Sequence, residues 1–557
     1  MKNKLYPILS VLLVFLLLSS CTFRNNPELK STESNLTTVS LELPISLEEL
    51  QSSKVDKIAI SSYLIDEMGM PVRSCSTEIT ELAGLTDNTV NYDLGYFGKH
   101  EITMQLYSGN TVVAEKLTDY ILTSDEYNIA YLHATLPVTY FSLMISDKDT
   151  TYLNANAPSV VVIERAAAYD WNNLLPNMYG CPFIEESKLE NSSTTKSIMQ
   201  EALTQLAGYI KYLHELNENS VFHIFVTDNF SDSFIELALE TNVNFDLTMF
   251  SDGSNGTYGT FRSVYGQGGE NDNSSQIYDE INSVWNTVKV KARSGDKSWE
   301  DDLKALYDGS DYRRRACLPP VLINDPDFNA RWVVGRNGDD VFGSSSVYFA
   351  KIQSNPNMVV VNLNSNLLAV LSTEETKDFQ ALYKFDSSVF EEADNAGKKI
   401  MIFLGTRNDE NLCLEQYISF MKNYCELYLS EDYVYYYKGH PGDPSEFNAT
   451  KNAILEKYDV ISLDASIPAE LFLFFRSDAD VGGYSSSTFA SYTKDEIPFI
   501  CGQVSSNTEG YTDKINTNIT QDNGSTSNFT ITRRKDGMTS KWDFNNPTVF
   551  NFQSIEQ

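Results

Sequence analysis

Two stretches of the chain alternate short apolar runs with helical stripes, and this alternation constrains the fold more than any other feature. The first series of runs lies at 160–163, 221–226 and 245–250, and the second at 401–404, 434–437, 460–463 and 480–482. Strands that alternate with helices are typical of parallel sheets covered by helices on both faces. The sequence therefore predicts an α/β fold, with two doubly wound, Rossmann-like domains in tandem at 157–355 and 356–557. A ligand cleft is expected between the carboxyl ends of their strands.

The stretches around these runs carry weaker patterns. Residues 273–355 are rich in charged and turn residues, which predicts helices plus an insertion. The Asn-, Ser- and Thr-rich stretch 505–528 predicts a loop, and the C-terminal tail could return to the first α/β domain.

Residues 41–145 follow a two-residue period instead, which is typical of half-buried strands. Ile102, Met104 and Leu106 alternate with more polar neighbours, and a turn at 108–110 precedes the next alternating run. Several such segments predict a small all-β sandwich of immunoglobulin type ahead of the α/β domains. The sandwich offers no candidate catalytic group, so we expect it to be a spacer, with contact to a glycan as the alternative.

The first twenty residues have the composition of an export signal. Two lysines precede an apolar run at 8–18, and Leu-Ser-Ser-Cys follows at 18–21. This ending resembles the lipobox of bacterial lipoproteins, so we expect a signal peptide at 1–20, an acylated Cys21 and a polar linker at 21–40. Thr22 after the cysteine fits passage to an outer membrane. The predicted location is the bacterial cell envelope, through a lipid anchor, with a short transmembrane anchor as the alternative.

Charge and residue spacing exclude two kinds of partner. A formal net charge of -34, without a long run of Lys or Arg, argues against nucleic acid, whose phosphates require a basic face. The 7 cysteines and 5 histidines are scattered and contain no C-x-x-C pair, so no metal site is expected. Any anionic ligand must therefore be held by local hydrogen-bond donors.

Three short motifs follow predicted strands, where their side chains could converge on the cleft. The first is Ser-Asp-Gly-Ser at 251–254. Gly253 permits a tight turn that would point the carboxylate of Asp252 into the cleft, where it could act as a general base toward a hydroxyl. An ordinary Asp-Gly turn is the alternative reading.

The second motif is Lys-Gly-His-Pro at 438–441. His440 stands between Gly439 and Pro441 at the end of a strand, so its imidazole should be rigidly placed. A histidine there could stabilise the negative charge that builds up on a departing phosphate, and Lys438 could contact a nucleotide. An exposed loop histidine is the alternative.

The third motif is Gly-Gly-Tyr-Ser-Ser-Ser at 482–487, which predicts a strand, a glycine turn and a helix start. Backbone N–H groups there, together with the hydroxyls of Ser486 and Ser487, could form an anion site without net positive charge. Glu470, at the start of another predicted helix, could accept hydrogen bonds from two ribose hydroxyls. Simple N-capping and a helix-dipole contact are the alternatives.

Together these residues resemble the bacterial sialyltransferases of glycosyltransferase family 80, from residue 41 to the C-terminus. The resemblance implies a GT-B fold, in which two Rossmann-like domains face each other. The family's general base falls on Asp252, and its Lys-Gly-His-Pro motif falls unaltered on 438–441. Its ribose-binding glutamate matches Glu470, and its paired phosphate-binding serines match Ser486 and Ser487.

The departures from the family concern the acceptor side. Ser251 stands where members have a second acidic residue. Gly405 and Thr406 match a Gly-Thr-Thr-Thr-Trp motif, but 407–409 lack the tryptophan that stacks on the acceptor sugar. The stretch 227–229 lacks a histidine that members place after an earlier strand. Donor recognition is thus expected to be retained and acceptor recognition to be altered.

The resemblance implies an inverting, single-displacement transfer of sialic acid from CMP-sialic acid to a terminal galactose or N-acetylgalactosamine hydroxyl, with α2,3 or α2,6 linkage. Asp252 would remove the acceptor proton and His440 would assist the departing CMP. No cofactor or metal is implied. The expected CMP contacts are Gly405, Thr406, Lys438, Gly439, His440, Pro441, Glu470, Ser486 and Ser487, and those on the acceptor and sialic acid side are Gly253 and Ser254. Two alternatives are another CMP-sugar transferase of this architecture and a glycan-binding surface lipoprotein that has lost catalysis.

Overall fold

The structure is a computed structural model, and the description below covers only part of the chain. The described residues are 37–82, 85, 87–133, 141, 144, 154, 156–164, 178–189, 196–228, 231–241, 243–251, 272–307, 318–335, 348, 351–352, 354–361, 377, 380–381, 384–405, 414–429, 432–439, 448–465, 467, 469–476, 478–483, 499–501, 511–520 and 526–534. The signal peptide, Cys21 and most of the linker predicted above lie outside them. Within these residues, no helix has both the length and the apolar composition that crossing a bilayer requires.

The described residues between 37 and 122 form an all-β region. Its elements are β1 (Thr37–Glu42), α1 (Leu47–Ser52), β2 (Lys57–Ile65), β3 (Pro71–Ile79), β4 (Thr89–Leu94), β5 (Gly98–Ser108) and β6 (Thr111–Leu122). β1 pairs with β4 in one antiparallel sheet, and a second antiparallel sheet has the order β3-β2-β5-β6. Burial alternates along β2, as the two-residue period predicts. An immunoglobulin-type topology stays a prediction.

The first α/β unit is built on a parallel sheet. Its elements are β7 (Glu126–Leu132), β8 (Ser159–Ile163), β9 (Met178–Tyr179), α2 (Glu186–Leu189), α3 (Lys196–Leu216), β10 (Val221–Thr227), α4 (Asp232–Glu240), β11 (Asn244–Phe250), α5 (Ser274–Ser294), α6 (Trp299–Tyr307), β12 (Ala330–Gly335) and β13 (Met358–Val361). The strand order is β13-β12-β11-β10-β7-β8-β9, and every pair is parallel. From β7 the chain adds β8 and β9 on one side and then β10 to β13 on the other. The topological switch point therefore lies between β7 and β10, where α/β sheets bind ligands.

Two strands of this sheet lie across the domain boundaries expected from the sequence. β7 falls within 41–145, the range assigned to the sandwich, yet it pairs in parallel with β8 and β10. All of its residues after Glu126 are buried, which is typical of a strand covered on both faces. β13 falls within the range of the second α/β domain, yet it pairs with β12 of the first.

The second α/β unit has a smaller parallel sheet. Its elements are a 3₁₀ helix (Ser387–Phe390), α7 (Glu391–Ala396), β14 (Lys399–Leu404), α8 (Leu414–Tyr428), β15 (Tyr433–Lys438), α9 (Asn448–Lys457), β16 (Val460–Leu463), α10 (Ala469–Phe475) and β17 (Asp480–Gly483). The order β16-β15-β14-β17 places the switch point between β14 and β17. The α/β class with parallel sheets, and the four strands expected in this unit, are confirmed.

A small antiparallel sheet follows, made of β18 (Phe499–Cys501), β19 (Tyr511–Thr520) and β20 (Thr526–Arg534). The loop expected over 505–528 is therefore wrong for most of that stretch. Thr and Ile residues favour strands, and backbone pairing of β19 with β20 supplies the hydrogen bonds that composition alone does not reveal.

The all-β region is fastened to the first α/β unit through α3. The Tyr209 hydroxyl donates to the Phe97 carbonyl at 2.8 Å. The Tyr212 hydroxyl donates to the Ile65 carbonyl at 2.8 Å and accepts from the Lys99 N–H at 2.7 Å. Buried residues of both regions also belong to one continuous hydrophobic core. The all-β region is thus packed against its neighbour.

Candidate functional site

Polar residues close neighbouring strands at the carboxyl edge of the seven-stranded sheet. His133 follows β7 and Glu164 follows β8, while Thr227 ends β10 and Asp228 comes next. Ser251 follows β11. Because all these strands are parallel, their carboxyl ends lie at one edge. His133 and Thr227 stand on either side of the switch point.

His133 is held by contacts with both neighbouring strands. Its Nδ1 donates to Oε2 of Glu164, since a carboxylate oxygen can only accept. Its backbone N–H donates to the Thr227 hydroxyl at 2.8 Å, across the switch point. The Glu164 side chain is 1% exposed, whereas that of His133 is 15% exposed. The carboxylate is therefore buried beneath an imidazole that reaches the surface.

Asp228 is a second buried carboxylate at this edge, with 2% of the residue exposed. The indole Nε1 of Trp332, on β12, donates to its Oδ2 at 3.0 Å. The Ser231 hydroxyl, just ahead of α4, donates to the Asp228 carbonyl at 3.2 Å. Side chain and backbone of Asp228 are thus both fixed.

The predicted general base follows the next strand in the sheet. Ser251 is fully buried, and its backbone N–H donates to the Val333 carbonyl at 2.9 Å. This bond continues the pairing of β11 with β12 one residue past the strand end. Asp252, Gly253 and Ser254 come directly after it and lie outside the described residues. β11 is two strands from β7, which corresponds to about 10 Å at the usual spacing.

The carboxyl edge of the four-stranded sheet brings the other motifs to one place. β14 ends at Leu404, which is in register with Lys438 at the end of β15 and with Gly483 at the end of β17. The chain segments that carry the second and third motifs and the Gly-Thr pair therefore leave the sheet side by side. Thr406, His440, Pro441, Ser486 and Ser487 themselves lie outside the described residues.

Lys438 is buried and is bonded to backbone. Its Nζ donates to the Gly439 carbonyl at 2.6 Å and to the Ala465 carbonyl at 3.0 Å. The lysine thus joins the start of the Lys-Gly-His-Pro loop to the segment that follows β16. A contact between Lys438 or Gly439 and a nucleotide stays a prediction.

Gly405 lies where no side chain fits. A Cβ atom added there would clash with the Tyr437 hydroxyl and approach Cζ of the same ring to 2.6 Å. Tyr437 is fully buried in β15, so its ring has little room to move. The Gly405 N–H donates to the Lys438 carbonyl at 3.0 Å, which continues the strand pairing.

Glu470 is the second residue of α10, the helix that follows β16. This agrees with the helix start expected for it, and its contact with a ribose stays a prediction. No group of His, Cys, Asp and Glu residues suited to a metal ion occurs in the part of the chain that the structure describes.

Three polar groups at the first edge were not singled out from the sequence as site residues: His133, Glu164 and Asp228. Each directly follows an apolar run with strand character, and this position was the available signal. His133 was hidden because β7 was assigned to the sandwich. The pairing of β7 with β8 and β10 brings the three groups together.

Residues 405–521 match a family model described as Sialyltransferase PMO188. The matched segment begins at Gly405 and contains the second and third motifs and Glu470. The resemblance drawn from these motifs is thereby confirmed for this part of the chain. A search of curated proteins by sequence finds no match.

Several solved structures are similar to this chain at low identity. The α/β-galactoside α-2,3-sialyltransferase of Photobacterium phosphoreum shares 16% identity, covers 68% of this chain and 91% of its own, and has a TM-score of 0.48. A sialyltransferase of Photobacterium damsela shares 15% identity over 84% of this chain and 90% of its own, also at 0.48. A 2,6-sialyltransferase of a Photobacterium species, solved with CMP and lactose, shares 14% identity over 84% and 87%, at 0.47. These partial likenesses carry no part of the functional argument.

Proposed function

Because residues 405–521 form a sialyltransferase-family domain, we propose that this protein transfers sialic acid from CMP-sialic acid to a galactose or N-acetylgalactosamine hydroxyl. The observation that carries the proposal is the family match over the segment in which the ends of β14, β15 and β17 lie in register. The linkage would be α2,3 or α2,6. The two α/β units would form a GT-B pair, with the donor on the second unit and the acceptor on the first.

The proposed mechanism is a single displacement at the anomeric carbon. Asp252 takes the proton of the acceptor hydroxyl while that oxygen attacks, and the bond to the CMP phosphate breaks with inversion. His440 and the hydroxyls of Ser486 and Ser487 stabilise the charge on the leaving phosphate. Glu470 binds the ribose of CMP. The groups that stabilise the phosphate are all side chains or backbone N–H groups, so the reaction should need no metal.

The experiment that tests this proposal uses residues 37–557, which retain β1, with CMP-N-acetylneuraminic acid and lactose. We expect sialyllactose, identified by mass and linkage analysis, and equal rates with and without EDTA. Release of CMP without a sialoside would support the donor site and indicate a different acceptor. Neither product would contradict the proposal, and a binding protein or a transferase for another CMP-sugar would replace it.

The assignment of Asp252 has its own test. Asp252→Asn should lower kcat roughly 100- to 10,000-fold, because general base catalysis is lost, with little change in CMP affinity. Asp279→Asn, which neutralises an exposed carboxylate on α5, is the matched control and should leave both quantities unchanged. Equal loss of turnover and of CMP binding in the Asp252 variant would contradict a base role.

We also propose that the mature protein is anchored in the bacterial envelope through a lipid on Cys21. Support comes from the Leu-Ser-Ser-Cys sequence at 18–21 and from the polar stretch that precedes β1. Metabolic labelling with a fatty acid should mark the full chain and not the Cys21→Ala variant. Labelling of both would overturn this assignment.

A further inference from the structure

We propose that His133, oriented by Glu164, binds a hydroxyl of a neutral sugar acceptor and helps to set acceptor specificity. This inference rests on the proposed function and deepens its acceptor side. The residues involved close β7 and β8 at the switch point of the first sheet, outside the segment that the family model matches.

The geometry of the pair fixes which ring nitrogen is used. Nδ1 donates to the Glu164 carboxylate, so in the neutral ring Nε2 is the acceptor nitrogen. The second carboxylate–imidazole contact that orients the ring is not needed to bury His133, since its side chain is 15% exposed and that of Glu164 is 1% exposed. A buried carboxylate under a surface imidazole is an arrangement that presents a hydrogen-bond acceptor at a defined place.

The surrounding charge favours a neutral polyol over an anion. Glu164 and Asp228 are both buried at this edge, and Asp252 follows the next strand but one from β7. Three carboxyl groups around one imidazole would repel an acceptor that carries a carboxylate or sulfate. Sugar hydroxyls, in contrast, donate hydrogen bonds to such groups.

The spacing also suits one sugar. β7 and β11 are two strands apart, or about 10 Å between backbones. Side chains that lean over the edge from both strands can reach the same monosaccharide, with Asp252 at the reacting hydroxyl and His133 at another. The Thr227 hydroxyl, which accepts from the His133 N–H at 2.8 Å, keeps the two sides of the switch point in register.

Two substitutions separate this role from a structural one. His133→Asn keeps an N–H near the position of Nδ1, and so the contact with Glu164, but lacks Nε2. His133→Gln places an amide near the position of Nε2 and loses the contact with Glu164. We expect Asn to raise KM for lactose about tenfold, the cost of one hydrogen bond, with donor KM unchanged, and Gln to restore part of the loss. A harmful Gln with a harmless Asn would indicate a structural role and overturn the proposal.

Deoxygenated acceptors identify the contact. One monodeoxy lactose should be about tenfold poorer than lactose for the wild-type protein and no poorer for His133→Asn, because the hydrogen bond is already absent. If the substitution lowers the efficiency of every analogue by the same factor, or changes the KM for the donor instead, the inference is wrong.

A binding measurement separates this inference from the proposed function. If the wild-type protein makes no sialoside, the transferase proposal fails, but lactose binding can still be followed by saturation-transfer NMR. Weaker lactose binding by His133→Asn than by wild type would then support the His133 site. Equal binding by the two, or none by the wild type, would overturn it.

Discussion

At the scale of single residues, the close contact between Gly405 and Tyr437 ties a local sequence motif to the core. Gly405 begins the segment that carries Thr406, and its missing Cβ is what lets the Tyr437 ring pack against the backbone. The sequence marks this glycine only as part of a family motif. The reason for it is a side chain 32 positions further along the chain, which the strand pairing of β14 with β15 brings beside it.

Gly405→Ala should destabilise the protein by about 1–3 kcal/mol, because the methyl group overpacks a site that is already full. It should also weaken CMP binding, since the segment that leaves β14 must shift. Urea unfolding and a CMP titration measure the two effects.

Gly208→Ala is the matched control for this change. Gly208 lies in α3 with open space around its Cβ position, so alanine there should stabilise the protein by roughly 0.5–1 kcal/mol. If the two alanines have the same effect, the contact with Tyr437 is not what requires Gly405.

Tyr92 gives a prediction about pH. Burial raises the pKa of Tyr92 to about 12, although its hydrogen bond with Ser62 acts in the opposite direction. The folded protein therefore holds this proton more tightly than the unfolded chain, whose tyrosines ionise near pH ~10. The contribution is complete below pH ~10 and is lost as the pH rises toward ~12.

Comparison with Tyr92→Phe isolates that contribution. The free energy of unfolding of the wild type should exceed that of the variant by an amount that shrinks from pH ~9 to pH ~11, because only the wild type has this phenol to ionise. Denaturant unfolding at several pH values measures the difference. A difference that stays constant over this range would contradict a raised pKa.

At the scale of elements, the decisive feature is how α3 and the strands are placed relative to one another. Tyr209 and Tyr212 are three positions apart in α3, so both reach the all-β region from the same face of the helix. A stripe of apolar and aromatic residues in the sequence predicted the helix. It did not show that two hydroxyls of this stripe bond to backbone groups more than a hundred residues earlier.

Tyr212→Phe should cost more stability than Tyr209→Phe. The first leaves two backbone groups without their partner, the Ile65 carbonyl and the Lys99 N–H, whereas the second leaves only the Phe97 carbonyl. An unsatisfied buried group costs about 1–3 kcal/mol. Unfolding free energies give the order, and hydrogen exchange at Lys99 should increase only in the Tyr212 variant. The opposite order would mean that the hydroxyl of Tyr212 does not hold this contact.

Element order along the chain also hid half of the first edge. Period and composition identified β8, β10 and β11 as strands, but β7 was assigned to the sandwich that precedes it. A strand's type can be seen in a short window of sequence, whereas its partners are chosen by long-range pairing. That is why the pair of His133 and Glu164 emerges only from the folded sheet.

At the scale of the whole molecule, the all-β region is part of the folding unit. Its buried residues join those of the first α/β unit in one core, and α3 is bonded to its strands. This is more than a spacer requires.

Removal of residues 37–122 should therefore lower the thermal stability of the protein and its soluble yield, because the face of α3 that carries Tyr209 and Tyr212 would be exposed. The measurement compares 37–557 with 123–557 by thermal unfolding and size-exclusion chromatography. An unchanged melting temperature and an unchanged monomer peak in the shorter protein would show that the all-β region is independent.

The sequence alone determined the α/β class, the strands of the second unit and the motifs that resemble a sialyltransferase family, because strand periods, glycine turns and short motifs are local properties. Only the tertiary structure decided which strands share a sheet. It moved β7 and β13 into the first sheet, placed the switch point beside His133, and gave Lys438 two backbone carbonyls to bind. The physical reason is that backbone pairing and burial join residues far apart in the chain, and those contacts leave no trace in a local pattern.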